Sequence, residues 1–248
     1  MRYCGFATRD YLILNNILIN KNSSLLEIGV GLGSMVDMII GKVKEYCGVD
    51  IARELIDYLR LVYKNNNSLK FYCLDVCQNS SSLNKKFDII FSADTLEHVE
   101  SPLGFFSFIK KHLKSDGIVL ITFPNESKDK HHGISWFDNK KELLEIIDKA
   151  RLEATAFFGV KETIWHRAVR NFFWGLPKSL VLKNHKLPQT FEQTTAFKIT
   201  QSSGAVPILL ALYTRMITRL AALFKLYEYY DIKEDIKNKT LLLRLKYK

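Results

Sequence analysis

The chain lacks the marks of several protein classes. Its 248 residues include four cysteines, Cys4, Cys47, Cys73 and Cys77, and no C-x-x-C pair. Cys73-x3-Cys77 has no matching pair of ligands nearby, so neither a disulfide framework nor a zinc site is expected, and no metal ligand is assigned. The thiols read as reduced, as in a cytoplasmic protein. "YLILNNILIN" (11–20) is too short and too interrupted by asparagine for a signal peptide. No internal repeat or low-complexity tract occurs, and no G-K-S/T follows a glycine loop, which excludes a P-loop. A hydrophobic share of 47% with 25% charged residues excludes wholesale disorder.

Net charge is also missing from the front of the chain. Residues 1–160 carry 20 Lys+Arg and 20 Asp+Glu, whereas residues 161–248 carry 16 and 6 and so hold the whole +10. A neutral front and a basic back suggest that the back meets an anion: phosphate, a membrane surface or nucleic acid. A lysine-rich solubilising surface is the alternative.

The front alternates short, continuous apolar runs with helix-length segments. The runs are 24–29, 45–50, 69–75, 87–93, 117–123 and 153–160; helical patterns occupy 33–41, 52–64, 102–114 and 138–150, the last capped by Asp138. This is the pattern of βαβ units around a parallel sheet covered on both faces. Residues 161–239 break it: they are basic, aromatic and mostly helical in pattern, and "TLLLRLKY" (240–247) follows as a final strand. The reading is therefore a single α/β domain over 1–248. Its core is 20–160 with 240–248, a doubly wound, mostly parallel seven-stranded sheet. A mainly helical basic insertion, 161–239, precedes the last strand.

"SLLEIGVGLGSM" (24–35) places Gly29, Gly31 and Gly33 directly after the first strand. The spacing is G-x-G-x-G, and Ser34 stands where a dinucleotide loop has its third glycine, so that pattern is missed. Glu27, two residues before the first glycine, would repel a pyrophosphate. It suits a ligand with an ammonium group and a positive sulfur.

"LLEIGVGLG" resembles the first motif of class I S-adenosylmethionine-dependent methyltransferases of the Rossmann-like fold. "YCGVDIARELIDYLR", "FYCLDV", "FDIIFSADTLEHVESP" and "LKSDGIVLITFPN" resemble the later ones, in order. The resemblance implies S-adenosylmethionine as cofactor and S-adenosylhomocysteine as product. It implies cofactor contacts at Glu27, Gly29, Gly31, Gly33, Asp50, Ile51, Asp75, Val76, Ser92 and Ala93. Asp50 would accept from the ribose hydroxyls, and Asp75 and Val76 would flank the adenine.

Methyl transfer to a hydroxyl needs alignment and a general base. His98, in "SADTLEHV", and His131 and His132, in "KDKHHGISWF", are the candidates for that catalytic role. Asp94, Glu97 and His98 are related by i, i+3, i+4 and could share one face of a helical turn. That leaves open a metal site like that of ubiquinone-pathway O-methyltransferases, although Asp94 stands where those have Glu. It also leaves open a purely local role for the turn.

In the insertion, 206–230 reads as a basic amphipathic helix, with Arg215, Arg219 and Lys225 on one side. Such a helix lies on an anionic membrane or caps an acceptor pocket. Segment 164–186 interleaves Trp165, Arg167, Arg170 and Trp174. Additions at this point of related enzymes build a lid over the acceptor. The expectation is methyl transfer to a hydroxyl or amine of a small anionic molecule: a phosphorylated, nucleotide-linked or lipid-linked sugar. The expected location is cytoplasmic, with peripheral contact at the inner membrane surface through 206–230. The alternatives are a metal-assisted RNA methyltransferase using D-x-x-E-H, with nucleic acid the lesser fit, and a non-catalytic partner that keeps the fold.

Overall fold

The computed structural model describes residues 8–78, 83–126, 134–169, 171–172 and 226–248, together with Leu212, Tyr213, Met216, Arg219, Leu220 and Leu223. It divides into two compact units: Met1–Leu12 with Lys161–Glu228, and Ile13–Val160 with Tyr229–Lys248.

The larger unit is built on β1 (Ser24–Ile28), β2 (Glu45–Asp50), β3 (Leu69–Cys73), β4 (Phe87–Ala93), β5 (Leu113–Asn125), β6 (Leu152–Glu162) and β8 (Lys239–Tyr247). With β7 (Tyr227–Asp231) they form one sheet of order β3-β2-β1-β4-β5-β8-β6-β7. The first five strands run parallel, and β8 is antiparallel to both β5 and β6. The fold class thus matches the sequence reading, but the sheet has eight strands, not seven. The added strand is β7, and it occupies the end of the segment read as the 206–230 helix. "YEYYD" is an aromatic-rich stretch suited to an edge strand. It directly follows a long apolar run, which masked it.

Helices α2 (Val36–Ile39), α3 (Arg53–Val62), α4 (Pro102–His112) and α5 (Lys140–Lys149) pack on the sheet; α1 (Thr8–Leu14) precedes it. Two of them start at a side-chain cap. Pro102 opens α4, and Ser101 Oγ accepts from Gly104 N at 3.0 Å. The cap of α5 is Asn139, not Asp138: Asn139 Oδ1 accepts from Glu142 N at 3.0 Å, while Glu142 reaches back to Asp138 N at 2.8 Å. The Asp138 carboxylate instead pairs with Lys237 at 2.9 Å. Helix α2 is only four residues long, shorter than the 33–41 pattern.

The core lies around the central strands. All five β1 residues are buried. Phe105, Phe106 and Ile109 of α4 are fully buried, and Phe123 meets Phe137 edge-on, with ring centres 5.8 Å apart. Each such side chain contributes about 1.5–3 kcal/mol of burial. At the starting ends of the strands, Asp88 of β4 accepts from Ser24 N at 2.8 Å and from Lys114 Nζ at 2.7 Å. Burial acts to raise the pKa of that carboxyl. The bonds from Lys114 and Ser24 outweigh it and hold the pKa down at about 2.

In the smaller unit, α6 (Ile164–Val169) is capped by Thr163, whose hydroxyl accepts from His166 N at 3.1 Å. His166 is buried, while Ile164 and Trp165 are exposed. Arg170 and Trp174, and most of 164–186 and 206–230, lie outside the described residues. Among the described residues no helix is long and apolar enough to cross a membrane.

Candidate active site

The strand order reverses between β1 and β4: from β1 the chain moves outward to β2 and β3, then returns to β4 on the other side. Open α/β sheets bind ligands at this switch point, at the ends where the strands finish. The glycine loop is there.

The loop leaves β1 with three positive φ angles: +79° at Gly29, +50° at Gly31 and +68° at Gly33. L side chains rarely adopt these values, which is why glycine occupies the positions. The loop leans on β2: Val49 O accepts from Gly29 N at 2.9 Å and from Val30 N at 3.1 Å. Asp50, the last residue of β2, fixes it further. Its Oδ2 accepts from Gly31 N at 2.9 Å, and its Oδ1 accepts from Ala52 N at 3.0 Å. Each oxygen thus takes one backbone donor and retains a lone pair for a hydroxyl.

Gly29 faces Thr95. A β-carbon at Gly29 would stand 2.0 Å from Thr95 Oγ1. That hydroxyl lies 3.3 Å from the carbonyl oxygens of Ile28 and Ala93, and Ser92 Oγ donates to Ile28 O at 2.9 Å. Ser92 is buried and Ala93 half-buried. Beside Gly31 there is open space: a β-carbon there would meet nothing within 4 Å. The loop is therefore tight against the protein at Gly29 and open at Gly31.

Glu27 is buried in β1 and accepts from the Tyr46 hydroxyl. Burial, then the charge of Glu27 and the hydrogen bond to it, push the Tyr46 phenol up. Ile51 is exposed, Val76 is buried, and Asp75 Oδ1 accepts from Cys77 N at 2.9 Å.

Asp94 directly follows β4, and its φ of +51° is unusual for a residue with a side chain; its amide donates to Thr122 O at 2.8 Å. A single 3-10 turn follows, Leu96–His98. It does not put the D-x-x-E-H acids and imidazole on one face. Glu97 is buried and His98 is exposed, with 3.8 Å between Glu97 Oε1 and His98 Nε2. Among the described residues no three His, Cys, Asp or Glu side chains form a metal-holding group. His131 and His132 lie outside the described residues.

The segment just after those histidines is fastened to the turn. Glu97 O accepts from Ile134 N at 2.6 Å and from Ser135 N at 2.9 Å, and Ser135 Oγ donates to Val99 O at 2.5 Å. Asn125 secures the other side. Its buried amide donates to Phe137 O at 2.8 Å and to Ile236 O at 3.1 Å, and accepts from Phe137 N at 2.9 Å. The loops after β4 and β5 thus converge. Thr95, Tyr46 and Asn125 escaped the sequence reading, because their partners are distant in sequence.

The donor set fits the expected cofactor. Asp50 offers acceptors for ribose hydroxyls. Two carboxylates, Glu27 and Asp50, favour a positively charged ligand over a pyrophosphate. The gap at Gly31 lets a ligand approach the backbone.

Known proteins agree. The sequence pattern of the family described as "Methyltransferase domain" matches residues 8–155. Phosphoethanolamine N-methyltransferase of Plasmodium falciparum is 33% identical over 44% of this chain and 42% of its own length. Ubiquinone biosynthesis O-methyltransferase of Rickettsia typhi is 21% identical over 60% of this chain and 69% of its own. The chain spans 7% of a non-reducing polyketide synthase of Penicillium brasilianum, at 28% identity over 65% of this chain. It thus covers well under two thirds of several relatives. Among solved structures, phosphoethanolamine N-methyltransferase 2 of Haemonchus contortus, bound to phosphomonomethylethanolamine and S-adenosylhomocysteine, aligns with a TM-score of 0.59 and 17% identity, over 98% of this chain and 53% of that one. With the glycine loop, Asp50 and the strand order in register, the chain belongs to the methyltransferase-domain family, the class I S-adenosylmethionine-dependent methyltransferases.

Proposed function

We propose that the chain transfers a methyl group to a hydroxyl or amine of a small anionic molecule. The observation that carries this is the Asp50–Gly31 cradle at the switch point, beside the converging loops after β4 and β5. S-adenosylmethionine, when bound, supplies a methyl group already activated by its positive sulfur. Asp50 orients the nucleoside end by accepting hydroxyl protons. Glu27, held by Tyr46, keeps the ground beneath the loop negative. The turn at 96–98 and the loop from Ile134 position the acceptor, and alignment supplies much of the acceleration. His98, and His131 and His132 just before Ile134 in the sequence, are the candidates to take the acceptor's proton.

Two features support an anionic acceptor. The charge of +10 resides in residues 161–248, which contain the segment we assign as the lid over the acceptor, 161–239. The relatives include enzymes named for phosphoethanolamine and for malonyl-acyl-carrier protein.

Calorimetry with S-adenosylhomocysteine tests the donor half. We expect micromolar binding, weakened about tenfold or more in Asp50→Ala. No binding by the full chain at millimolar ligand would refute the proposal. Screening phosphorylated amines and sugars with the full chain tests the acceptor half, with a drop in kcat expected for the histidine that acts as base. Unchanged turnover in His98→Ala, His131→Ala and His132→Ala would remove the base assignment.

A further inference from the structure

The crossovers β1–β2, β2–β3 and β4–β5 each contain a helix. The β3–β4 crossover differs: among its described residues, 74–78 and 83–86, none is helical. This link must run on the same side of the sheet as α4, because both right-handed crossovers move in the same direction along the strand order. The contacts agree. Gly104 of α4 abuts Cys77, where a β-carbon would stand 2.6 Å from Cys77 O, and His112 of α4 receives Leu83 N and lies 2.9 Å from Lys85 O.

Among those described residues no helix covers this part of the sheet. Phe71 of β3 points to the α3 side, where it stacks on Tyr63 at 5.8 Å. By strand alternation Lys70 and Tyr72 point to the other side, and both are exposed. A cavity of about 490 Å³, within the usual size range of a small-molecule site, opens at this edge of the sheet; Cys47, Lys70, Tyr72 and Leu83 line it from that side, and Arg53 and Arg60 of α3 line it as well.

Its cations are Arg53, Arg60, Lys70 and Lys85. Lys85 pairs with Glu45, and Arg60 bonds Asp57 at 3.1 Å while its Nε donates to Phe71 O at 3.0 Å. Arg53 and Lys70 have no acidic partner among the described residues. An exposed lysine on an edge strand can serve only to discourage edge pairing. That role needs neither a cavity nor Arg53. It also does not need Tyr72, an aromatic face two residues along β3 from Lys70, or the apolar walls of Leu83 and Phe87.

We infer that this cavity at the β3 edge is a second ligand site, which takes a phosphate monoester carried on a flat ring, of nucleotide size. Lys70 and Arg53 hold the phosphate. Tyr72 stacks on the ring. The site is separate from the methyl-donor cradle, which uses the loop after β1 and Asp50.

Phenyl phosphate is the probe, titrated by calorimetry into the full chain saturated with S-adenosylhomocysteine. We expect binding in the millimolar range or tighter. It should weaken at least about fivefold in the Arg53→Ala/Lys70→Ala variant and be retained in Lys70→Arg, with S-adenosylhomocysteine affinity unchanged in both. A second readout is local. Cys73 lines the cavity and is only half buried, whereas Cys47 is buried, its thiol pushed up to about 12 by that burial. Phenyl phosphate should therefore slow alkylation of Cys73 by iodoacetamide, followed by peptide mass. The inference is overturned if wild-type protein binds no phenyl phosphate at about 10 mM, a level that would detect even weak sites. It is equally overturned if binding survives the double alanine variant, or if S-adenosylhomocysteine competes with the probe.

Discussion

Gly29→Ala is the sharpest test of how the donor loop is built. Two costs fall on one methyl group. The φ of +79° puts an L residue in the left-handed region, which costs about 1–2 kcal/mol. The new β-carbon would also stand 2.0 Å from Thr95 Oγ1, so Thr95 must rotate away. Its hydroxyl then loses the carbonyls of Ile28 and Ala93, worth about 0.5–1.5 kcal/mol. The sum is about 1.5–3.5 kcal/mol, a large fraction of a typical stability. Urea unfolding reads it directly. Thr95→Ala alone should cost about 1 kcal/mol through the lost hydroxyl. If the clash is the second cost, the double variant Gly29→Ala/Thr95→Ala should be about 1 kcal/mol less destabilised than the two singles added, because the obstacle is already gone. Gly31→Ala is the control. Its φ is +50° but nothing lies within 4 Å, so about 1–2 kcal/mol of strain is all that stability should register, while S-adenosylhomocysteine binding should fall at least about tenfold as the methyl group fills the approach to the backbone. A stability change under about 0.5 kcal/mol in Gly29→Ala, or strict additivity with Thr95→Ala, would refute the reasoning.

Three further outcomes follow from single contacts. Asn139→Ala should destabilise the protein by about 1 kcal/mol in thermal or urea unfolding, and Asp138→Ala by less, since the cap belongs to Asn139; the reverse order would be wrong for this helix. Asn125→Ala strips three hydrogen bonds from a buried amide and should cost about 2–4 kcal/mol, read by urea unfolding; loss of the loop's anchor should also lower kcat. The Asp88 carboxyl titrates at about 2 in the folded protein, below its unfolded value, so its contribution is complete above about pH 4 and fades as the pH falls toward 2. Asp88 is about a third exposed, so solvent screening trims the contribution to about 1 kcal/mol. Lys114→Met should flatten that part of the stability–pH curve, and an unchanged slope below pH 4 would contradict the assignment.

The strands were legible because a covered parallel sheet demands continuous apolar runs. Runs at 45–50 and 87–93 became β2 and β4 with the same limits. The loop glycines were legible because positive φ angles restrict the residue type. What could not be read was set by partners far along the chain. Nothing near Thr95 announces that Gly29 must stay bare beside it. Nothing near Glu27 announces Tyr46, which reaches it only because β1 and β2 are neighbours. The D-x-x-E-H spacing assumed an α-helical turn. The tighter 3-10 turn, after a left-handed Asp94, sends Glu97 inward and His98 outward. Strand β7 was missed because aromatic alternation over five residues is a weak signal beside a long apolar run.

The position of β8 bears on how the chain reaches this state at all. It follows the other seven strands in sequence, yet it lies between β5 and β6. On the ribosome, β5 is complete more than a hundred residues before β8 begins. At ordinary synthesis rates that leaves one edge of β5 open for on the order of ten seconds. A bare apolar strand edge is a template for pairing with other chains. Nascent β5 therefore depends on chaperone shelter or on slow neighbours, and premature termination anywhere between Asn125 and Lys239 should yield aggregate, not a smaller folded enzyme.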